Sequence, residues 1–373
     1  MAKALIKWPG GKAGEIIKFE NMIPEYDRYI EPFLGGGAVF FHLAPKKSII
    51  NDISSSLMEF YRFIKQQNPS FREYLLAYGR SIDYLLSQCN EHYPQVLSIY
   101  QLYEDGRTTS KEYSNNIKKL DVIANQIIGQ NVFLKYIVLD TDKFHQSLVK
   151  MAGDKFVRTV RNNGTKSYSD ADLKDNLITG FTSGFYIYFR DVFNDISLGR
   201  IHPGKAYAAA NFYFIREYCY GSMFRYNKSG EFNIPYGGMT YNRKNFISKI
   251  DYLFHSEVND ILSNAEIHNE DFETFLNGIN LTGKDFIFLD PPYDTDFSDY
   301  EGRAFDKEDQ KRLADTLKKV KAKFILVIKN TDYIYDLYKD DFRILVFDNQ
   351  YTYNVRSRNE RSTKHLIITN IPV

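Results

Sequence analysis

Apolar residues recur at two different periods along this chain, and the change of period divides it. Near the N-terminus short apolar runs alternate with helical spacing. Ala13 to Met22 predicts a helix, Tyr29 to Phe33 a strand and Gly35 to Gly37 a turn; Ala38 to Leu43 begins a helix, Ser48 to Asn51 is a second strand and Ser54 to Lys65 a further helix. This is β-α-β grammar. From about 66 to 210 long polar-aromatic stretches with helical spacing, such as Phe71 to Ser87 and Tyr113 to Gln130, are divided by Gly/Asn/Ser/Thr loops at 105–110 and 162–169. Alternation returns with strands at Ala265 to His268, Phe286 to Leu289, Phe324 to Ile328, Phe342 to Phe347 and His365 to Thr369, and helices at Phe272 to Leu276 and Lys307 to Val320. The expected fold is α/β. One discontinuous domain, 1–65 and 260–373, is interrupted by a mostly helical insertion at 66–259.

Composition adds little to this picture and removes several classes from it. With 43% hydrophobic residues in 373, the chain has material for two or three cores. No stretch reaches the roughly 18 uncharged apolar residues of a membrane span, and the N-terminus meets Pro9 and two glycines before any signal-like apolar segment develops, so a cytoplasmic protein is expected. Cys89 and Cys219, too few and too separated for a disulfide framework, are expected to be reduced and structural. The balance of 48 basic against 47 acidic residues gives a net charge of +1, so any nucleic-acid partner must be met by local clusters. Aromatics reach 16%, which suits base stacking but more often means core packing. The seven histidines are scattered without ligand spacing, and no metal site is expected.

Candidate chemistry concentrates in three strings. In FIFLDPPY (286–293) a buried strand empties into Asp290, Pro291, Pro292 and Tyr293, at the strand end where open α/β sheets carry their sites. The two prolines stiffen the turn, leaving a carboxylate, a carbonyl and an aromatic ring to hold a flat, amine-bearing ring. In EPFLGGGAVFF (31–41) a strand end passes through Gly35, Gly36 and Gly37 into a helix, and Asp52 ends the next strand 17 residues beyond Gly35. An acid about 20 residues past such glycines accepts from ribose hydroxyls. The contiguous glycines depart from a dinucleotide fingerprint, and a cofactor without pyrophosphate fits better. KWPGGK (7–12) lacks the Ser or Thr of a phosphate loop, and taken alone reads as a surface turn bearing Trp8 and two cations.

A fourth segment, YGSMFRYNKSGEFNIPYGG (220–238), has hairpin grammar: Met223 to Tyr226 and Glu231 to Ile234 flank Asn227 to Gly230. Such a two-stranded ribbon can enter a major groove, where arginine reads guanine. Alone it also fits an ordinary exposed hairpin.

Taken in order, KWPGGK, EPFLGGG with NDIS, a long variable middle and DPPY resemble the Dam-type N6-adenine DNA methyltransferases, the alpha group or D12 class. The resemblance covers roughly 1–60 and 205–373, and 66–205 has no counterpart recognisable by motif. It implies a Rossmann-like S-adenosylmethionine-dependent methyltransferase sheet with an inserted target-recognition domain. It also implies S-adenosylmethionine as cofactor, held by Trp8, Lys12, Phe33, Gly35, Gly37, Asp52, Asp271, Phe272 and Asp290. Asp290, Pro291, Pro292 and Tyr293 would hold an adenine flipped out of double-stranded DNA, with Asp290 and the Pro291 carbonyl accepting its amino protons during direct methyl transfer.

In the hairpin, Arg225 falls on the guanine-reading arginine, Met223 and Pro235 on thymine-methyl contacts, Tyr220 on the wedge aromatic, and Asn227 on the DNA-facing turn. Gly221 departs from the family's usual Asn beside the wedge. Lys7 matches the reader of a first guanine and favours a target beginning GA, with GATC the leading choice. The basic run at 351–366, with Arg356 and Arg358, is expected at the DNA backbone. The expected partners are double-stranded DNA and a separately acting restriction endonuclease, the protein itself being a monomer. The planar-amine logic leaves open cytosine N4 or a protein glutamine as substrate, and a catalytically silent DNA-binding protein remains the alternative of another class.

Overall fold

A computed structural model describes residues 2–104, 110–241, 245–293, 305–350 and 362–372, and the following concerns these. The chain divides into two compact units, one of residues 1–67 and 253–373, the other of 68–252. The seam after the insertion lies earlier than the 259/260 expected from sequence, because the helix Ser256–Ser263 buries Val258, Ile261 and Leu262 in the first unit and packs on the helix Ser55–Lys65.

The first unit is built on a seven-stranded sheet of β1 (Arg28–Glu31), β2 (Ser48–Ile50), β3 (Ala265–Ile267), β4 (Asp285–Leu289), β5 (Lys323–Lys329), β6 (Arg343–Gln350) and β7 (Ser362–Thr369), in the order β3-β2-β1-β4-β5-β7-β6. The first five strands in this order are parallel; β7 runs antiparallel to both its neighbours. The order reverses between β1 and β4, paired Tyr29 to Phe286 and Ile30 to Ile287, so the crevice at their carboxyl ends is the switch point where such sheets bind ligands. Both strings that sequence singled out, EPFLGGG and DPPY, begin there.

The central strands are apolar on both faces, and their alternation sorts the side chains. Ile30, Ile287 and Leu289 face a core with Leu313, Leu317, Phe324 and Leu326. Tyr29, Phe286 and Phe288 make an aromatic layer with Tyr26, Phe40 and Phe19 on the other face, Phe19 stacking on Phe288 at 5.2 Å. That layer explains the one N-terminal element misread from sequence. The helix expected over Ala13 to Met22 is three separate 3₁₀ turns, Lys12–Gly14, Ile16–Lys18 and Glu20–Met22. Ile16 and Phe19, three apart, are the buried pair, and a three-residue repeat keeps both on the buried side, Phe19 against Phe288 of the sheet.

The second unit is a helical assembly with an irregular tail. Its two longest helices, Thr141–Lys166 and Asp170–Ser197, are separated by three residues, because the loop expected at 162–169 is helical up to Lys166. They pack through glycines: an added Cβ at Gly184 would lie 2.6 Å from Leu148 Cα, and one at Gly180 2.8 Å from Ala152 Cα. Much of the aromatic excess is core here, with Tyr78, Phe185, Phe189 and Phe214 in mutual ring contact.

The segment 219–238 doubles back antiparallel, but only through the isolated bridges Cys219 to Tyr236 and Tyr226 to Phe232, so the regular two-stranded ladder expected from sequence is not formed. Gly221, in a left-handed turn at φ 65°, and Pro235, which has no N–H to give, interrupt it. Among the described residues no helix is long and apolar enough to cross a membrane.

Candidate active site

A cavity of about 430 Å³ opens at the switch point, the size of a small-molecule site. Its walls come from stretches far apart in sequence: Trp8–Lys12, Glu31–Gly36 with Ala38, Val39 and Asp52, Glu270–Phe272, Asp290–Tyr293, and Phe305 with Asp309. Of the sequence candidates for the cofactor and reaction, Trp8, Lys12, Phe33, Gly35, Asp52, Asp271, Phe272, Asp290, Pro291, Pro292 and Tyr293 all line it; Gly37 does not. Gly37 serves the turn instead. It sits at φ 71° before the helix Ala38–Leu43, and an added Cβ would lie 2.9 Å from the Phe41 ring.

The glycine turn is held from three sides. Gly35, at φ 50°, donates its N–H to Asp52 Oδ2 at 2.9 Å, its carbonyl accepts from Tyr61 at 3.0 Å, and an added Cβ would meet Trp8 Cδ1 at 2.7 Å. Asp52 Oδ1 also accepts from the Ser54 N–H. Burial nevertheless outweighs these donors and pushes the Asp52 carboxyl up to about 6. Glu31, buried beside it with one oxygen bonded to the Tyr29 hydroxyl at 2.8 Å, is raised well above the carboxylate range by burial. Sequence reasoning quoted Glu31 but gave it no role.

At the other side Phe272, edged by Phe33 at 5.5 Å and Phe305 at 5.6 Å, forms an apolar wall. Asp271 caps the helix Phe272–Gly278 through the Glu273 N–H, and the same oxygen accepts from Arg312 at 2.7 Å. Arg312 also bridges Glu273 and Asp309 and lies 4.9 Å over the Phe272 ring. This guanidinium hub was missed from sequence. Its one local trace is the Asp309/Arg312 spacing on a helix.

Lys12 and Asp290 meet across 278 residues. The Lys12 ammonium, 1% exposed, donates to Asp290 Oδ1 at 2.5 Å, to the Tyr293 hydroxyl at 3.0 Å and to the Gly10 carbonyl at 2.8 Å. The surface turn that KWPGGK suggests when read alone is therefore a wall of the site. Burial raises the Asp290 carboxyl, and the Lys12 charge opposes the rise. Buried Gln310 donates to the Pro292 carbonyl at 2.9 Å and fixes the proline turn. Among the described residues, Asp290 Oδ2 and the Pro291 carbonyl accept no hydrogen bond. Two acceptors are thus presented beside the Tyr293 ring.

The candidate base-reading residues divide between the two units. Lys7 is half-buried next to Trp8 and does not line the cavity. In the second unit Arg225 is exposed, its guanidinium on the Asn233 side chain and carbonyl at 2.6 and 3.0 Å. Asn227 uses its side chain to close the turn, accepting from the Ser229 and Glu231 N–H groups. Tyr220 donates its N–H to the Pro235 carbonyl, and the Met223 carbonyl is held by buried Arg216 at 2.9 Å. Arg356 and Arg358 lie outside the described residues. No group of three or more His, Cys, Asp or Glu side chains able to hold a metal ion occurs among those described.

A mixed seven-stranded sheet with a glycine turn and acidic strand ends at its switch point is consistent with a methyltransferase fold. The model of the D12 class N6 adenine-specific DNA methyltransferases matches residues 8–139 and 127–353, and the chain belongs to that family. It is similar to the type II methyltransferase M.CviBI of Paramecium bursaria Chlorella virus NC1A, 26% identical over 99% of each chain. It is also similar to the type II methyltransferase M1.LlaDCHI of Lactococcus lactis subsp. cremoris, 25% identical over 98% of this chain and 94% of the relative. A DNA adenine methylase of Serratia marcescens is 21% identical over 84% and 76%. The protein is thus an adenine-specific DNA methyltransferase. The matches also run through 66–205, the stretch in which no motif was recognisable.

Proposed function

We propose that the cavity binds S-adenosylmethionine and that the enzyme methylates the N6 amino group of an adenine flipped out of double-stranded DNA. The carrying observation is the pair of open acceptors, Asp290 Oδ2 and the Pro291 carbonyl, beside an aromatic ring at the carboxyl end of β4. The donor set fits the cofactor. Asp52 keeps lone pairs on both carboxylate oxygens for ribose hydroxyls, Phe33 and Phe272 supply ring faces for its adenine, and Asp271 keeps one oxygen for the amino group. When bound, the sulfonium supplies the methyl group. This chain's residues do the rest. Extruding the base costs a few kcal/mol, offset by stacking on Tyr293. Asp290 and the Pro291 carbonyl would take the two amino protons as hydrogen bonds, turning the nitrogen lone pair toward the methyl and stabilising the charge that grows on nitrogen, and the proton held by the Asp290 carboxylate would then leave to it, returning the methylated nitrogen to neutral. Lys12 holds Asp290 by its other oxygen, so the carboxylate does not swing.

The discontinuous unit is the catalytic domain, and 68–252 carries target recognition. Arg225 reads guanine, Met223 and Pro235 meet a thymine methyl, Tyr220 wedges into the duplex, and Lys7 reads the first guanine of a target beginning GA, with GATC the leading choice. The type II names of two relatives suggest a restriction-modification setting, with a nuclease acting separately from a monomeric methyltransferase.

The test incubates purified protein with labelled cofactor and plasmid, hydrolyses the DNA and identifies the labelled base, then maps the methylated sites. Label on N6-methyladenine is expected, and Asp290→Ala abolishes it while cofactor binding persists. Label on cytosine, or none, overturns the reading.

A further inference from the structure

Opposite the amine-holding turn lies a buried pair that the mechanism above does not use. His365 is 0% exposed on β7, in register with Lys329 of β5 and Phe347 of β6, so ladders on both sides fix its backbone. Its Nδ1 lies 2.9 Å from Glu15 Oε2, whose side chain is 12% exposed. A carboxylate can only accept, so a hydrogen bond between the two uses the imidazole tautomer with the proton on Nδ1. The imidazole meets the Tyr293 ring at a centroid distance of 5.7 Å and an angle of 74°, and the Phe347 ring on another side at 5.7 Å. Glu15 in turn closes the 3₁₀ turn Lys12–Gly14, its N–H donating to the Lys12 carbonyl at 2.8 Å. One imidazole therefore touches the ring that would stack on the base and, through one carboxylate, the turn that carries Lys12. Asp290 feels both partners: Glu15 raises its carboxyl and His365 lowers it, behind the larger effects of burial and Lys12.

We propose that His365, through its bond to Glu15, is a positioning residue that locks the Lys12 turn and the Tyr293 ring onto β7, a strand paired on both sides, setting the geometry in which Asp290 presents its open oxygen. This deepens the reading above and rests on it. A buried histidine that merely fills the core needs no carboxylate, and a buried carboxylate is costly without a partner. The pair spends that cost where two pieces of the site, distant in sequence, must be held to sub-ångström tolerance, the scale on which a 1 Å misplacement costs about 100-fold in rate.

The experiment compares His365→Leu, His365→Asn, Glu15→Ala and the double variant His365→Leu/Glu15→Ala in the full chain. Asparagine keeps a donor at the Nδ1 position; leucine keeps the volume without it. Three readouts are taken: kcat on plasmid DNA, the cofactor Kd by calorimetry, and the emission of Trp8, the chain's single tryptophan, which sits on the glycine turn. Expected are a fall in kcat of about 10- to 100-fold in the leucine and Glu15→Ala variants, a red-shifted Trp8 emission in both, and recovery of each in His365→Asn. The double variant is no worse than either single, as for two groups acting through one bond. The inference is overturned by wild-type kcat and emission in His365→Leu, or by asparagine failing as badly as leucine, which would make the role one of packing. If His365→Leu does not fold, Glu15→Ala, at a less buried position, decides on the same readouts. Wild-type protein that labels no adenine condemns the functional reading itself; wild-type activity with an indifferent leucine variant condemns only the role of His365.

Discussion

Asp52 is where burial and function pull against each other most plainly. Its carboxyl titrates at about 6 against an ordinary 3.8, because burial outweighs the backbone donors of Gly35 and Ser54. With the folded value raised, the native state binds the proton more tightly than the unfolded chain does. The stability contributed by neutral Asp52 is complete below about pH 4 and is lost as pH rises through 6, a total of about 3 kcal/mol. The ionised form that the fold disfavours is the stronger acceptor for the ribose hydroxyls of the proposed cofactor. Denaturant unfolding of the wild type is therefore expected to weaken between pH 4 and 6, a fall missing from Asp52→Asn, while the cofactor Kd tightens across the same interval only in the wild type. Wild-type and variant unfolding curves that run parallel over that range would remove Asp52 from the account.

Among the elements, the helix pair Thr141–Lys166 and Asp170–Ser197 sets two magnitudes against each other. Alanine is the better helix former by about 1 kcal/mol, yet a Cβ at Gly184 would lie 2.6 Å from Leu148 Cα and 2.7 Å from the Ser147 carbonyl, both backbone. Overpacking against backbone costs about 1–3 kcal/mol, so sterics win. Gly184→Ala is expected to destabilise by about 1–2 kcal/mol in urea, while Gly164→Ala, with nothing within 4 Å of its added Cβ, stabilises by up to about 1 kcal/mol. The same contrast of local and distant causes governs what the sequence discloses. FIFLDPPY and EPFLGGG are legible because strand, turn and chemistry lie within a dozen residues, and both land at the switch point. Arg312 reaches Asp271 and Glu273 across 41 and 39 residues, and His365 reaches Glu15 across 350. No local period encodes such a meeting. The N-terminal 3₁₀ turns escaped for a related reason: their pitch is set by the sheet that Phe19 docks against, not by their own composition. In 219–238 the hairpin spacing was legible, but the breaks imposed by Gly221 and Pro235 left bridges rather than strands.

For the molecule as a whole, the near balance of 48 basic and 47 acidic residues means that long-range attraction to DNA is weak and phosphate binding must come from a few side chains. The basic run at 351–366, whose arginines Arg356, Arg358 and Arg361 lie outside the described residues, is the candidate for such contacts, whereas Arg225 is the candidate reader of a base. The two roles separate in their salt dependence. Each phosphate contact adds about 0.9 to the slope of log K against log salt, so Arg356→Ala/Arg358→Ala is expected to flatten that slope by about 2 on every duplex, cognate or not. Arg225→Ala should instead cost about 1–3 kcal/mol on the methylated sequence alone, leaving binding to unrelated duplexes nearly as it was. Fluorescence anisotropy at three salt concentrations on a cognate and a scrambled duplex measures both. An unchanged slope in the double variant would take the C-terminal arginines off the phosphates, and equal losses on both duplexes in Arg225→Ala would take that residue off the base.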